Sequence, residues 1–275
     1  VADAKARQAL RALRRRHPEA TIVATGCYAE RAPEDLRHME DVDLVIGNTG
    51  KGNIVRQVME RRDDAPVPCA VGEADAPFSP RMARTRAMVK IQEGCDQVCA
   101  YCIVPKVRGR ERSIPPEEVL RRISGYVSHG YKEVVLTGTQ LGSYGFDLPD
   151  IDLAGLLTRI LNETTVMRLR VSSLQPQEID AGILGLWSDP RLCPHFHLAL
   201  QSGSDAVLKR MRRRYSARRY QEAVALVRDA VPDVSITTDV IVGFPGETDE
   251  DFGRTRDLCD AVGFSAMHVF PYSLR

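Results

Sequence analysis

Residues 95–102 have the sequence Cys-Asp-Gln-Val-Cys-Ala-Tyr-Cys, and this stretch decides how the rest of the chain is interpreted. It contains three of the seven cysteines, Cys95, Cys99 and Cys102, while the other four are scattered. An odd number of cysteines without a secretion signal argues against a disulfide framework. Clustered thiols in a reducing compartment therefore indicate metal or redox chemistry, and we expect that compartment to be the cytoplasm.

The spacing Cys-x3-Cys-x2-Cys favours an iron–sulfur cluster. Three thiolates on one short loop can hold three irons of a 4Fe–4S cluster and leave the fourth iron open to a substrate. Structural zinc usually takes four ligands as two separated pairs, and no histidine lies at a customary spacing for the fourth. A thioredoxin-like pair of Cys99 and Cys102 would leave Cys95 without a role. On spacing alone, zinc and a redox pair remain alternatives.

The sequence around this loop alternates between strand and helix patterns. We expect helices between strands near 87–92, 133–137, 167–172, 196–200, 235–242 and 266–270. Six such repeats predict an α/β fold that curls into a partial (β/α)6 barrel, with its active site at the carboxyl ends of the strands. The residues that stand out fall at those ends: Cys95, Gly138, Ser172, Gln201, Gly243 and Pro271.

A shorter alternation precedes the barrel and predicts the remnant of a small α/β domain over residues 1–62. Its expected elements are helices at 4–16, near 33–39 and near 51–61, and strands at 21–24 and 44–46. Residues 63–85 carry four prolines and no periodicity, which predicts a linker. The barrel would then occupy residues 86–275.

Composition excludes several classes of protein. The 275 residues are 43% hydrophobic and 27% charged, as in ordinary globular chains. No apolar run approaches the roughly 18 residues of a membrane span. The net charge of +1 favours no particular partner, but basic residues cluster at Lys106, Arg108, Arg110 and Arg112, where phosphate contacts would be useful.

Longer strings around the loop resemble a known family. The cysteine spacing, with Tyr101 before the last cysteine, is similar to that of radical S-adenosylmethionine (radical SAM) enzymes. The methylthiotransferase branch of that family is similar in Glu93-Gly94-Cys95, Cys102-Ile103-Val104-Pro105, Arg108-Gly109, Leu200-Gln201-Ser202-Gly203-Ser204 and the run from Thr238 to Thr248. The resemblance implies that S-adenosylmethionine chelates the open iron and is cleaved by an electron from the cluster to methionine and a 5′-deoxyadenosyl radical.

The resemblance also implies roles for individual residues, none of them a catalytic acid or base. Cys95, Cys99 and Cys102 would hold the cluster. The expected cofactor contacts are Gly138 and Thr139 for the amino group, Ser172 and Ser173 for the ribose, Gln201 and Arg213 for the carboxylate, and Tyr101, Ile241, Val242 and Phe270 for the adenine. Arg108 and Arg112 would face substrate phosphate or a second cluster.

The segment from Thr25 to Ala29 resembles the part of the family's amino-terminal domain that holds a second cluster. Cys27 would be the third ligand of that cluster, with the first two upstream of residue 1. The family's carboxyl-terminal RNA-binding TRAM domain has no counterpart here. We therefore expect an internal fragment that carries one cluster, where the full-length enzyme carries two.

Residues 136–145, Leu-Thr-Gly-Thr-Gln-Leu-Gly-Ser-Tyr-Gly, look most like the branch that acts on threonylcarbamoyladenosine. This implies a tRNA methylthiotransferase that modifies C2 of N6-threonylcarbamoyladenosine 37. Its partners would be the tRNA anticodon loop and an electron donor such as flavodoxin or ferredoxin, with no membrane. The alternatives within the family are isopentenyladenosine 37 of tRNA and an aspartate of a ribosomal protein. Outside the family, the alternative is a zinc-stabilised RNA-binding module.

Overall fold

The computed structural model describes residues 2–61 and 85–273 of the chain. Two compact units are present: residues 2–61 with Lys106–Arg108, and residues 85–105 with 109–273. The sequence did not predict that Lys106–Arg108 group with the first unit. The linker predicted for 63–85 lies, except for Thr85, outside the described residues, as does Cys69, so the domain boundaries stay a prediction.

The first unit alternates helices and short strands. Its elements are α1 (Ala2–Arg16), β1 (Val23–Thr25), α2 (Cys27–Arg31), α3 (Pro33–Arg37), β2 (Leu44–Ile46), a 3₁₀ helix (Asn48–Asn53) and α4 (Ile54–Arg61). The two strands pair in parallel, with Val23 opposite Leu44. Ala24, Ala29 and Leu36 form a small buried core against them.

The second unit contains nine strands and seven α-helices among its described residues. The strands are β3 (Arg86–Lys90), β4 (Gln92–Glu93), β5 (Arg112–Ser113), β6 (Glu133–Thr137), β7 (Arg168–Val171), β8 (Ser173–Leu174), β9 (His195–Leu198), β10 (Ser235–Val242) and β11 (Ala266–Pro271). The helices are α5 (Val104–Arg108, whose last three residues group with the first unit), α6 (Pro116–Ser128), α7 (Leu153–Glu163), α8 (Ala181–Gly185), α9 (Asp205–Arg210), α10 (Ala217–Ala230) and α11 (Asp249–Val262). Short 3₁₀ helices cover Leu141–Ser143, Pro176–Glu178 and Leu186–Ser188.

Parallel pairing confirms the predicted partial barrel. One sheet has the order β3-β6-β7 and the other β8-β9-β10-β11. All pairs within both sheets are parallel. Only Ser172 separates β7 from β8, so the two sheets share one interrupted strand. The six strands therefore follow one another in chain order, as in an open (β/α)6 barrel.

Alternating burial on β10 shows which face of this strand is covered. On β10, Ile236, Thr238 and Val240 are buried, whereas Thr237 and Asp239 are only half-buried. Successive strand residues point to opposite faces, so the buried set faces the helices and the other set faces the inside of the barrel. The covering helices contribute large buried side chains to one continuous core, including Ile123, Leu156 and Tyr220.

Capping residues set where the helices begin after the strand-end loops. Ser204, Ser216 and Thr248 each accept a hydrogen bond from a backbone N–H three residues ahead. Thr248 and Asp251 form a capping box, since each side chain accepts from the other residue's N–H. Among the helices that the structure describes, none is both long enough and apolar enough to cross a membrane.

Candidate active site

The three clustered cysteines lie on the loop between β4 and α5, beyond the carboxyl end of β3. Cys99 is buried, and Cys95 and Cys102 are half-buried. Backbone hydrogen bonds hold this loop: Ala100 N donates to Met211 O at 3.0 Å, and Cys102 N donates to Cys99 O at 3.1 Å. One hydrogen bond within the loop and one to Met211, which follows α9, therefore hold the loop in place.

A glycine is required immediately before the first cysteine. Gly94 has φ +80°, and a Cβ there would lie 1.9 Å from the Arg110 carbonyl oxygen. A left-handed backbone and a backbone wall leave no room for a side chain. Gly94 thus allows the backbone to pass close to Arg110 immediately before Cys95.

The sulfur arrangement fits a multi-iron cluster better than a single zinc ion. Zinc–sulfur bonds of about 2.3 Å in a tetrahedron bring sulfurs to about 4 Å of one another. Among the described residues, the three cysteine sulfurs do not all lie within 4.8 Å of one another; His197, Asp239 and His268 are the group whose ligand atoms do. Burial, with smaller contributions from Glu111, Cys99 and Cys102, raises the pKa of the Cys95 thiol to about 11, so a bound metal would be needed to keep this thiol ionised at neutral pH.

Arg213 reaches the cysteine loop from the turn after α9. Its Nη1 lies 3.4 Å from both Cys99 Sγ and Tyr101 Oη, and its Nε donates to Tyr215 Oη at 3.1 Å. Arg213 is half-buried, whereas both neighbouring arginines, Arg212 and Arg214, are exposed. Arg213 is therefore the arginine of this run that contacts the cysteine loop, and its role toward a carboxylate stays a prediction.

The predicted amino-group loop is held by a buried side chain that sequence reasoning missed. Gln92 Oε1 accepts from the N–H groups of Thr139 and Gln140, both at 2.9 Å. A Cβ on Gly138 would lie 2.8 Å from a Leu141 side-chain carbon. It would also lie 3.1 Å from Gln92 Cβ, so this turn packs directly against the strand that leads into the cysteine loop.

A second group of missed residues surrounds Glu178 in the 3₁₀ helix after β8. Its carboxylate accepts from the side chain of Gln140 and, at 2.8 Å, from Gln175 N. Gln175 Oε1 in turn accepts from Arg213 Nη2 at 3.2 Å, and its Nε2 donates to Gln97 Oε1 at 3.1 Å. Burial raises the pKa of Glu178 to about 7. The only sequence signal was a polar run, Gln-Pro-Gln-Glu, at the end of a predicted strand.

Two of the predicted cofactor residues carry buried polar atoms that lack a hydrogen-bond partner among the described residues. These atoms are Thr139 Oγ1 and Gln201 Oε1. Gln201 has φ +67°, and its backbone is clamped between Asp239 O and Ile241 N at 2.8 and 2.9 Å. Since buried polar groups are normally paired, these atoms fit a polar molecule bound at the strand ends.

The residues predicted to contact the adenine and the ribose differ from one another in packing and exposure. Ile241 and Tyr101 pack with Val207, Met211 and Phe244 in one apolar cluster. Val242 packs against the main core, as strand alternation requires for the residue after Ile241. Phe270 pairs with Ile241 across β10 and β11 and is 51% exposed. Ser172 is half-buried and Ser173 exposed.

The remaining predicted residues are accessible. Arg108 is exposed at the end of α5, and Arg112 is exposed on β5. Cys27 is exposed at the first residue of α2. These three roles therefore stay predictions.

Comparison with solved structures agrees on the fold. The cobalamin-dependent S-adenosylmethionine radical enzyme OxsB superposes with a TM-score of 0.60, 12% identity and coverage of 86% of this chain and 38% of that chain. The radical S-adenosylmethionine methyltransferase TsrM from Kitasatospora setae gives a TM-score of 0.56, 16% identity and coverage of 67% and 36%.

Sequence comparison is more specific. The threonylcarbamoyladenosine tRNA methylthiotransferase MtaB of Aquifex aeolicus is 40% identical over 99% of this chain and 68% of its own length. The corresponding Bacillus subtilis protein is 39% identical over 99% and 62%. The tRNA-2-methylthio-N(6)-dimethylallyladenosine synthase of Syntrophobacter fumaroxidans is 41% identical over 97% and 60%. The chain thus spans 60 to 68% of the length of these relatives.

The barrel and its cysteine loop define a radical SAM domain, and residues 89–259 match the radical SAM superfamily. Within that superfamily, the chain belongs to the methylthiotransferase family. Radical SAM enzymes use a 4Fe–4S cluster and S-adenosylmethionine, which confirms the predicted cofactors.

Proposed function

We propose that the full-length protein is a tRNA methylthiotransferase that installs a methylthio group at C2 of N6-threonylcarbamoyladenosine 37. The observation that carries this proposal is 40% identity over 99% of the chain to the Aquifex enzyme of that name. The shared region includes the cysteine loop, Arg213 and the strand-end loops described above.

The chain's own residues would bind the cofactors and orient them. Cys95, Cys99 and Cys102 hold three irons and leave one open. Arg213, fixed by Tyr215 and Gln175, offers its guanidinium to the carboxylate of S-adenosylmethionine beside Cys99. Thr139 and Gln201 supply the unpaired polar atoms of the same site. When bound, the cluster and S-adenosylmethionine supply the one-electron chemistry that attack on C2 of an adenine ring requires.

The inside of the barrel would exclude water from this chemistry and receive the base. A nucleoside of the anticodon loop can be presented there without opening a duplex, because its base is already unstacked. Arg108 and Arg112, both exposed, would contact phosphates of the loop. Cys27 would help to hold the second cluster, and flavodoxin or ferredoxin would donate electrons. A tRNA substrate and these donors imply a cytoplasmic reaction.

A second candidate is methylthiolation of the dimethylallyl (isopentenyl) nucleoside at the same position. The Syntrophobacter synthase, 41% identical over 97% of the chain, favours it. An aspartate of a ribosomal protein is a third substrate class within the family.

Mass spectrometry of nucleosides separates these candidates. We expect deletion of the encoding gene to remove 2-methylthio-threonylcarbamoyladenosine from tRNA and to leave unmethylthiolated threonylcarbamoyladenosine in its place. Loss of the methylthio-dimethylallyl nucleoside instead would identify the second candidate. Unchanged tRNA with an unmodified ribosomal aspartate would identify the third.

A further inference from the structure

Three polar side chains form a cluster on the inner face of the barrel, nearer the amino-terminal ends of the strands than the predicted cofactor residues. His197 on β9, Asp239 on β10 and His268 on β11 are called here the inner polar cluster. Asp239 Oδ1 lies 3.3 Å from His197 Nε2 and 3.3 Å from His268 Nδ1. Asp239 and His268 are directly opposite each other in the parallel register.

The inner polar cluster lies where a substrate would meet the cofactor. Asp239 and His268 are each two residues before Ile241 and Phe270, and residues two apart on a strand share a face. The cluster is therefore about 7 Å deeper in the barrel than the apolar residues predicted for the adenine of S-adenosylmethionine. His268 is its most open member, since 69% of its side chain is exposed.

Charged residues near the start of the barrel strands carry an excess of positive charge. Glu133 forms ion pairs with Arg86, Arg168 and Arg170 at 3.1, 3.2 and 2.8 Å, so three guanidiniums share one carboxylate. The charges of Arg170 and Arg86 also reach His195, whose pKa is lowered mainly by burial and further by these cations. The positive charge of these arginines disfavours a bound metal cation in this part of the barrel and favours a carboxylate.

We propose that the inner polar cluster binds the carboxylate-bearing threonylcarbamoyl group of the substrate nucleoside and selects it over an apolar group. This inference rests on the proposed function. The ring of His268, whose Nδ1 lies 3.3 Å from Asp239 Oδ1, leaves Nε2 for a hydrogen bond to the threonylcarbamoyl group. Asp239 orients that imidazole, and His197 holds Asp239 from the other side. His268 is thus a specificity-determining residue, and Asp239 is a positioning residue.

An apolar substituent cannot satisfy these groups. A dimethylallyl group against the cluster would displace water from His268 and Asp239 without replacing its hydrogen bonds. Overall identity does not separate the two nucleosides, because relatives named for each are 40% and 41% identical to this chain. The inner polar cluster therefore supplies a local feature that distinguishes the two nucleosides, which overall sequence identity does not.

The test compares tRNAs that differ only in the group on N6 of adenosine 37. The anaerobically reconstituted full-length protein is assayed with threonylcarbamoyl and dimethylallyl tRNA, as wild type and as His268→Phe, His268→Gln and Asp239→Asn. We expect His268→Phe to lower kcat/KM for threonylcarbamoyl tRNA about 30-fold, since a hydrogen bond to the substrate is lost and its partner group is left unpaired. His268→Gln, which keeps an N–H donor, should lose less, and His17→Phe, on an exposed histidine of the first unit, should match wild type. Reductive cleavage of S-adenosylmethionine without tRNA should stay within about twofold in every variant.

Three outcomes would overturn the inference. If His268→Phe leaves kcat/KM for threonylcarbamoyl tRNA unchanged while wild type is active on it, the inference alone fails. If wild type acts only on another substrate, the proposed function fails and the inference fails with it. If added Co²⁺ gives a nitrogen–oxygen ligand-field spectrum in the cluster-loaded protein that Asp239→Asn abolishes, the inner polar cluster is a metal site instead.

Discussion

The cysteine loop of the barrel and the Cys27 segment of the first unit carry the same ligand atom in opposite settings. In the barrel, one loop supplies three cysteines, and Gly94, the backbone of Met211 and the side chain of Arg213 fix it in place. Among the described residues of the first unit, one exposed cysteine follows Gly26, and the neighbouring Tyr28 contacts Arg7, Arg31 and Asp35, with no second cysteine beside it. Eight residues can thus carry three candidate ligands when the surrounding fold holds them, whereas Cys27 alone among the described residues defines no site.

Removing the buried cysteine of the barrel loop should have the largest effect. Cys99→Ala should abolish reductive cleavage of S-adenosylmethionine, a loss of at least about 1,000-fold, because two thiolates do not retain a cluster with one open iron. Chromatography of 5′-deoxyadenosine after anaerobic reduction measures it. Cys259→Ala, a half-buried cysteine on α11, is the matched control and should retain cleavage. Retained cleavage in Cys99→Ala would refute the cluster assignment.

Removing Cys27 should separate the two regions. In the full-length enzyme, Cys27→Ala should spare cleavage of S-adenosylmethionine within about twofold and stop methylthiolation, because only the second cluster loses a ligand. Parallel assays of 5′-deoxyadenosine and of methylthiolated nucleoside measure the split. Equal loss of both products would show that Cys27 serves no separate cluster.

Replacing Arg213, which contacts the cysteine loop, should weaken the binding of S-adenosylmethionine without removing the cluster. Arg213→Met should raise the Kd for S-adenosylmethionine about 30-fold, since a partly buried charge-assisted contact is lost. Equilibrium dialysis with the reconstituted protein measures the Kd, and the visible absorbance of the cluster should persist. Arg212→Met, at the exposed neighbour, should leave the Kd unchanged; equal effects of both variants would argue for a diffuse charge effect.

The smallest expected effect concerns the carboxyl group that braces the strand-end loops. Burial raises the pKa of Glu178 from 4.5 to about 7, so the folded state favours its protonated form. The stability that this group contributes is fully present below pH 4.5 and is lost as the pH rises through 7. Between pH 5 and 8, wild type should lose about 2 kcal/mol of unfolding free energy more than Glu178→Gln. Urea denaturation measures it, with exposed Glu222→Gln as control; identical pH profiles of wild type and Glu178→Gln would contradict the assignment.

Much of the barrel was predictable from the sequence because strand and helix periods alternate regularly along it. The predicted strand at 235–242 has the bounds observed for β10, and the others overlap their observed strands. The helix expected near 51–61 begins later, since the segment around Gly50 and Gly52 is a 3₁₀ helix and α4 starts at Ile54. Glycines weaken the first turns of an α-helix, which accounts for the shift.

The supporting side chains were not predictable, although the cysteines and Arg213 were. Gln92 contacts Thr139 across 47 residues of sequence, and Gln175 contacts Gln140 across 35. Amide side chains at strand ends follow no period, and only the fold brings them together. Strand alternation, by contrast, already implied that Ile241 and Val242 point to opposite faces.

The hydrogen bond from Ala100 to Met211 has a consequence for the order of events during biosynthesis. The cysteine loop leaves the ribosome well before the segment that holds it, and the contact between Cys99 and Arg213 spans 114 residues. Contacts so distant in sequence form late in folding. The thiols therefore emerge on a loop that has no fixed shape yet, and we expect iron delivery to succeed only after translation has passed α9. A maturation factor that loads this site must recognise the folded barrel, not the nascent peptide.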